Sequence, residues 1–399
     1  MRRIAPATTS VAPASPLRAQ VFGAGPTGAL AALALARCGW VVELWDPLPP
    51  AALLERSRAY ALTHSSAELL QSLNLWQPLQ AQLAPFRRLE LCDRALQRQV
   101  PFLTSDLPGR PGAGAADVDA VGWILQHRPL MALLLQELET QPGVQLHLAE
   151  PAGPGAVQGV DLVVAADGHH SPRRRAAGIR HWHRPYRQGC LTVQVRLRGS
   201  QPDQAWELFR PEGPFAVLPL GGDAFQLVWS APLERLQRLE RLEPAAFLDA
   251  LSAALPEQLQ AEVLLDQPRA FPVALEWAWP LQRRGVVLVG EAAHRSHPVG
   301  GQGLNLCWRD VAVLQQLAGL AASGRLPVRA LPRRYAASRW LDIALVLLAT
   351  DALVRLFSNR QPLLLPLRRL ALALLARFRW LRAVSLSAMS DGPCRLRWP

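Results

Sequence analysis

One stretch concentrates the residues that could do chemistry: Gly290-Glu291-Ala292-Ala293-His294-Arg295-Ser296-His297-Pro298-Val299-Gly300-Gly301-Gln302-Gly303-Leu304-Asn305. It follows an all-apolar run, Val286 to Val289, that reads as a buried strand, and it leads into a helical pattern beginning near Leu304. Glycines between a strand and a helix let backbone N–H groups approach a ligand closely, at a helix end whose partial charge favours an anion. The stretch therefore reads as a cofactor cradle, with an ordinary tight turn as the alternative. His294 and His297 have a spacing that suits metal ligands, but no third ligand is evident, and metal is not expected.

Two further glycine motifs precede it. Ala19 to Phe22 reads as a short strand running into Gly23-Ala24-Gly25-Pro26-Thr27-Gly28, then an Ala/Leu helix to Cys38, and a second strand, Trp40 to Trp45, ending at Asp46. This is a βαβ unit with a dinucleotide fingerprint, in which Gly23, Gly25 and Gly28 admit a pyrophosphate and Asp46 can hold ribose hydroxyls. A third strand, Asp161 to Ala165, ends at Asp167-Gly168, with Ser171 and Arg174 following. Carboxylate, glycine, hydroxyl and arginine thus meet at one strand end, where open α/β sheets place ligands. Arg58, and Arg128 at the start of a leucine-rich helix through Leu138, can face a cofactor or water.

The elements that position these motifs fall into three parts. From about Arg180 the period changes to two, with Leu191, Val193, Val195 and Leu197 alternating with polar residues, and more strands are expected at Trp206–Phe209, Phe215–Leu220, Phe225–Trp229 and Phe271–Trp277. The expected fold class is α/β: a discontinuous βαβ domain with a parallel sheet (17–80, 110–180 and 278–330), an inserted antiparallel sheet domain (81–109 and 181–277), and a C-terminal helical region (331–399). A leader to about Pro16 and a Pro/Gly/Asp-rich loop from Leu103 to Asp119 are expected to be irregular.

Composition narrows the function. The chain has 399 residues and a formal charge of +12, and its basic side chains are all arginine, which excludes Schiff-base chemistry on a lysine. Its five scattered cysteines form no CxxC pair and read as reduced thiols. No secretory signal or bilayer-spanning run is expected. From Arg355 onward arginines alternate with leucines, which suits amphipathic helices on an anionic membrane surface as well as helices packed on the body with a solvated basic face. Nucleic acid is not an expected partner, since no reading module is recognisable.

Taken in order, the three motifs make the chain resemble the single-component FAD-dependent aromatic hydroxylases related to para-hydroxybenzoate hydroxylase, and more closely their ubiquinone-biosynthesis branch. The resemblance rests on Gly23, Gly25 and Gly28, on Asp167, Gly168, Ser171 and Arg174, and on the stretch from Gly290 to Asn305. It extends to Arg58–Leu62, Gly213–Leu220, Val228-Trp229, Tyr335 with Arg339 and Asp342, and Asp351 with Leu353, Phe357 and Ser358. It implies FAD as cofactor, NADPH or NADH as reductant, molecular oxygen, and hydroxylation of a prenylated phenol through a flavin hydroperoxide. The cofactor would then be held by Gly23, Gly25, Gly28, Asp46, Arg58, Arg128, Asp167, Gly168, Gly290, Glu291, Gly301, Gln302, Gly303, Leu304 and Asn305. His297, Pro298 and Val299 would lie near the reacting ring, with no side-chain nucleophile. A cytoplasmic protein peripheral on the inner face of a membrane, within a quinone-biosynthesis complex, is the implied setting. Two residues depart from the family pattern: Glu291 where Asp is usual and Cys307 where Gly is usual. Other readings are an epoxidase or reductase of the same fold, and a FAD-deficient accessory subunit.

Overall fold

The computed structural model describes residues 16–107, 120–150, 159–359 and 361–395, so the leader and most of the Leu103–Asp119 loop lie outside the described residues. Its first layer is a six-stranded sheet in the order Gln282–Arg283, Val286–Leu288, Leu162–Ala165, Arg18–Phe22, Val41–Asp46, Val144–Leu148. All neighbours are parallel except the short antiparallel edge pair. Parallel strands need crossover connections, and the helix Pro26–Arg37 supplies the first of them. That helix is apolar on every side because it is covered on every side; Gly28 through Ala36 are buried. It packs with Leu314 and Ala318 of the long helix Gln302–Ala322 and with Leu134 and Leu138 of the helix His127–Thr140 in one core cluster.

The second layer is a nine-stranded sheet built chiefly from the expected antiparallel strands. Arg180–Arg198 is far longer than its alternating half suggests, and pairs with Arg269–Trp279, Ala224–Pro232 and Gln260–Leu264. One pairing is parallel: Gln204–Phe209 lies beside Arg88–Asp93. No hairpin joins those two strands, so no turn imposes an antiparallel direction on them. His294–Arg295 adds a short edge to this sheet, which puts part of the stretch from Gly290 to Asn305 in the second layer. Leu83–Phe86 pairs with Gly122–Gln126 in a separate three-stranded sheet with Ala59–Leu62. Three α-helices end the described chain: Leu331–Phe357 packs on Val286–Leu288 and Gln302–Ala322, Leu365–Arg377 on Arg98–Leu103, and Arg379–Asp391 on His64–Ser72.

Candidate cofactor and substrate site

Because four neighbouring strands are parallel, their carboxyl ends share one edge of the sheet, and each carries one of the motifs. Phe22 leads to Gly23, Ala165 to Asp167, Leu288 to Gly290, and the second strand ends at Asp46.

Gly23 has φ +97°, and a Cβ there or on Gly28 would strike backbone carbonyls, of Ala166 and Gly23 respectively. These two glycines are required by strand–helix packing. Gly25 is different: nothing lies within 4 Å of its Cβ position, so its backbone faces open space at the helix N-terminus. A bare backbone at a helix start is the feature a pyrophosphate needs. Beside it, the buried Asp46 accepts hydrogen bonds from Ala24 N at 2.7 Å and Leu48 N at 2.8 Å, one on each oxygen, which fixes the carboxylate at the rim.

Asp167 accepts from Arg173 N at 3.1 Å through one oxygen, while the other is buried without a partner. Burial pushes its carboxyl up, against hydrogen bonds that include one from Ser171. A buried carboxylate oxygen with no donor, next to the bare Gly25 face, fits a ligand that brings hydroxyl groups. Arg174 then ties two loops together, donating to Ala292 O at 2.8 Å and to His169 O at 2.7 Å.

Gly290 has φ +65° and sits between the first helix and the site helix; a Cβ there would press on Thr27 at 2.9 Å and on Cys307 Sγ at 3.4 Å. The Cys307 thiol thus fills the gap between Gly290 and Thr27, and burial pushes it far up. Glu291 is exposed, and its charge is felt by Tyr60 and by His169. Gly300 (φ +68°) and Gly301 (φ +62°) turn the chain into the helix, which starts at Gln302, two residues before the expected start. Gly303 faces open space, Leu304 packs against the core, and Gln302 donates to Gly300 O at 3.2 Å with its own amide oxygen buried and unpartnered.

The Asn305 side chain is occupied by protein. Its oxygen accepts from Thr63 N at 3.0 Å, Thr63 Oγ1 at 3.2 Å and Ser66 Oγ at 2.7 Å, and its nitrogen donates to Ala61 O at 2.7 Å and Gly301 O at 2.9 Å. It clamps the helix start to the strand Ala59–Leu62, leaving only its backbone for a cofactor.

Arg58 is half-buried, with its guanidinium 5.5 Å from the Phe271 ring centre, and Arg128 is exposed. The two are joined through backbone, as His127 N donates to Arg58 O at 2.8 Å. His127 donates from Nε2 to Leu53 O at 2.8 Å, so its Nδ1 accepts the Tyr60 hydroxyl at 2.8 Å.

His297 is fully buried. Its Nδ1 accepts Val299 N at 3.2 Å, so the proton sits on Nε2, which has no partner, and burial pushes the ring down to about 3. The ring meets Tyr186 edge-on at 5.2 Å, and Tyr186 donates to Asp351 at 3.0 Å. Pro298 is half-buried and Val299 buried beside it. His294 is not free for a metal, because it bonds Asp310 at 2.7 Å.

Sequence reading passed over Glu207, whose carboxylate accepts Gly300 N at 3.3 Å, and Asp310, which accepts Gly290 N at 2.9 Å. Glu207 lies in an otherwise ordinary strand pattern, and only the fold brings Gly300 to it. Asp310, eight residues past Gln302 on the same helix, carried a readable signal as an acid in an apolar helical run.

The chain is similar to known proteins over most of its length. Residues 153–337 match the model of the FAD binding domain family. The chain is 30% identical to 3-demethoxyubiquinol 3-hydroxylase of Escherichia coli, over 90% of this chain and 94% of that one. It is 31% identical to the ubiquinone hydroxylase UbiL of Rhodospirillum rubrum, over 85% and 81% respectively. Klebsiella pneumoniae HpxO, solved with FAD and uric acid, shares the fold with a TM-score of 0.70 at 19% identity, covering 95% of this chain and 97% of that one.

Proposed function

The chain belongs to the FAD-dependent aromatic hydroxylases, in the branch of the ubiquinone hydroxylases, and from that premise we propose that it hydroxylates the ring of a prenylated phenol. It is a FAD-dependent monooxygenase of ubiquinone biosynthesis. The observation that carries the reading is the single sheet edge where the bare Gly25 backbone, the unpartnered Asp167 oxygen and the Gly301–Gln302 helix start converge. FAD bound there, reduced by NADPH or NADH, supplies the oxygen chemistry.

The chain's own residues bind and orient. Gly25 would take the pyrophosphate at the helix start that the close strand–helix packing of Gly23 and Gly28 makes possible, and Asp46 the ribose, while Asp167 and Glu291 would accept hydroxyls of the ribityl chain. The backbone from Gly301 to Leu304, at the positive end of a helix of 21 residues, would stabilise negative charge on a ring system held there. Pro298, Val299 and the neutral His297 would wall the ring from water. Incubating FAD-loaded protein with a prenylated phenol, NAD(P)H and oxygen should yield the hydroxylated phenol by mass spectrometry; absence of product with each reductant rejects the reading.

A FAD-deficient accessory subunit would need a spoiled cradle, and Cys307 does not spoil it, since its thiol packs behind Gly290. Glu291 keeps a carboxylate at an exposed rim position. Glu291→Ala is therefore expected to weaken FAD binding roughly 10- to 100-fold, the loss of a hydrogen bond to a charged group. Cys307→Gly should leave affinity nearly unchanged while lowering the melting temperature. Fluorescence titration of FAD checks both.

The helix Leu331–Phe357 presents Trp340, Leu341, Leu345 and Leu348 to solvent, with Leu348 65% exposed, and exposed Arg333, Arg334 and Arg355 at the two ends of this face. Trp340 borders an apolar groove of about 640 Å³ with Trp182, Trp277 and Trp279. Among the described residues no helix is long and apolar enough to cross a membrane. An apolar face with arginine ends and tryptophans at its border suits the interface of an anionic bilayer, the cytoplasmic inner leaflet, where a quinone-biosynthesis complex would meet its prenylated substrates. The protein should float with phosphatidylcholine vesicles containing phosphatidylglycerol. Leu345→Asp with Leu348→Asp should abolish flotation; equal flotation of this variant would reject the face.

A further inference from the structure

The strand Gln204–Phe209 separates two surroundings. Trp206 and Leu208 enter the core shared with Leu236, Phe247 and Leu251, whereas Ala205 and Phe209 join the opposite cluster with Val299 and Phe357. By alternation Glu207 faces that second side, toward the loop Pro298–Gly301. In register across the sheet it stands in the row Leu91, Glu207, Ala216, Val228 and Thr192. Its four companions are short or apolar and only half-buried. Protein interiors are close-packed, so these half-buried positions leave accessible space on the sheet face that Glu207 shares with the loop Pro298–Gly301, called the chamber below. Among these five Glu207 is the one ionisable residue, and the row continues past Thr192 to the exposed Arg269 at its far end.

Its two oxygens differ. One accepts Gly300 N at 3.3 Å, beside the turn into the site helix. The other makes no hydrogen bond among the described residues, yet it is not among the sealed, unpartnered atoms, so it keeps access to the chamber. Resting on the hydroxylase reading, we propose that Glu207 is the base that takes the proton from the substrate's ring hydroxyl.

The step balances within the proposed hydroxylation, whose oxidant is oxygen activated by the reduced FAD. The phenol O–H bond breaks, the proton passes to the free carboxylate oxygen, and the electron pair stays on the phenol oxygen, enriching the ring for oxygen insertion. Glu207 returns the proton to that oxygen as the hydroxylated carbon gives up its C–H proton to water. The surroundings suit a base working near neutrality, since burial pushes the carboxyl up to about 7 against the single hydrogen bond from Gly300. No charged side chain contributes to that shift. The titratable groups on the packed elements are otherwise engaged. His297 is held neutral, Tyr186 is bonded to Asp351, Glu90 to Arg88 and Asp93 to Arg368, and the Cys190 thiol is pushed up to about 12 by burial.

The test compares FAD-loaded wild type with Glu207→Gln, whose amide oxygen still accepts Gly300 N–H. The probe is 2-dimethylallyl-4-nitrophenol, whose phenolate is read by absorbance. The Glu207 carboxylate opposes a phenolate beside it, so the bound probe should ionise at least one pH unit higher in wild type than in the variant. Turnover of a prenylated phenol should fall 10²- to 10⁴-fold in the variant and lose its acid limb near pH 7. Equal ionisation of the bound probe in both proteins overturns the proposal, as does a probe that does not bind wild type. Reduced FAD affinity in the variant with unchanged probe ionisation also overturns it, reducing Glu207 to a clamp on Gly300. The probe measurement needs binding alone, so it stands apart from a failed turnover assay.

Discussion

Asp310→Ala is expected to remove about 3–5 kcal/mol of folding stability, the cost of stripping one partner from a buried ion pair. Asp310 is fully buried, and it accepts Arg339 Nε at 2.7 Å on one oxygen and His294 Nε2 at 2.7 Å with Gly290 N at 2.9 Å on the other. Burial opposes its ionisation, but His294 and Arg339 together hold its carboxyl below the ordinary value. Arg339 cannot turn elsewhere. Its remaining carboxylate, Asp342, bonded at 2.7 Å, already serves Arg309 at 3.0 Å. The variant therefore leaves the buried Arg309 and Arg339 both bonded to the one carboxylate of Asp342, and it frees the Gly290 loop that carries Glu291. Urea denaturation should show the lost stability as a lower midpoint at unchanged slope, and residual folded protein should bind FAD weakly. A midpoint shift worth less than about 1 kcal/mol, the scale of an exposed ion pair, would reject the central role of this residue.

That network gives a structural role to Tyr335, Arg339 and Asp342, positions to which the family resemblance extends. Arg339 and Asp342 lock the helix Leu331–Phe357 to the site helix, and Tyr335 O–H donates to Leu288 O at 2.9 Å at the end of the strand feeding Gly290. The motif is the back wall of the cradle.

The glycine motifs were legible because each is local: a strand, a turn and a helix start within a few residues. What sequence could not show is what distant segments bring to those motifs. Asn305 sits in a cofactor motif, yet its side chain holds Ala61, Thr63 and Ser66, contacts more than 200 residues apart in the chain. The first half of the strand Arg180–Arg198 carries no alternation, because Arg180 through Arg187 are mostly exposed or half-buried, and its pairing with Arg269–Trp279 shifts register between Pro185 and Gly189. The parallel match of Gln204–Phe209 with Arg88–Asp93 leaves no local trace either, and it is this match that seats Glu207 in the middle of the sheet.

Glu207 and His297 should also make the stability of the protein depend on pH in opposite senses, and the variants can separate them. Burial pushes the Glu207 carboxyl from its ordinary value of 4.5 up to about 7 in the folded protein. A raised folded value means the native state holds the proton more tightly, so its contribution is complete below pH 4.5 and is lost as pH rises through 7. His297 goes from 6.5 when unfolded to about 3 when folded. A lowered folded value contributes stability above pH 6.5 that is lost as pH falls toward 3. Between pH 4.5 and 6.5 the two slopes, each about 1.4 kcal/mol per pH unit, cancel. Other groups titrate there too, so the informative quantity is a difference between proteins. Wild-type stability minus that of Glu207→Gln should fall with rising pH by about 3 kcal/mol between pH 4.5 and 7. Wild type minus His297→Gln should instead rise with pH from 4.5 to 6.5, because the glutamine has no proton to gain. Denaturant midpoints at half-unit pH steps measure both differences. Parallel curves for wild type and Glu207→Gln would mean that the carboxylate is solvated when folded, which would remove both this pH signature and the chamber in which it is placed.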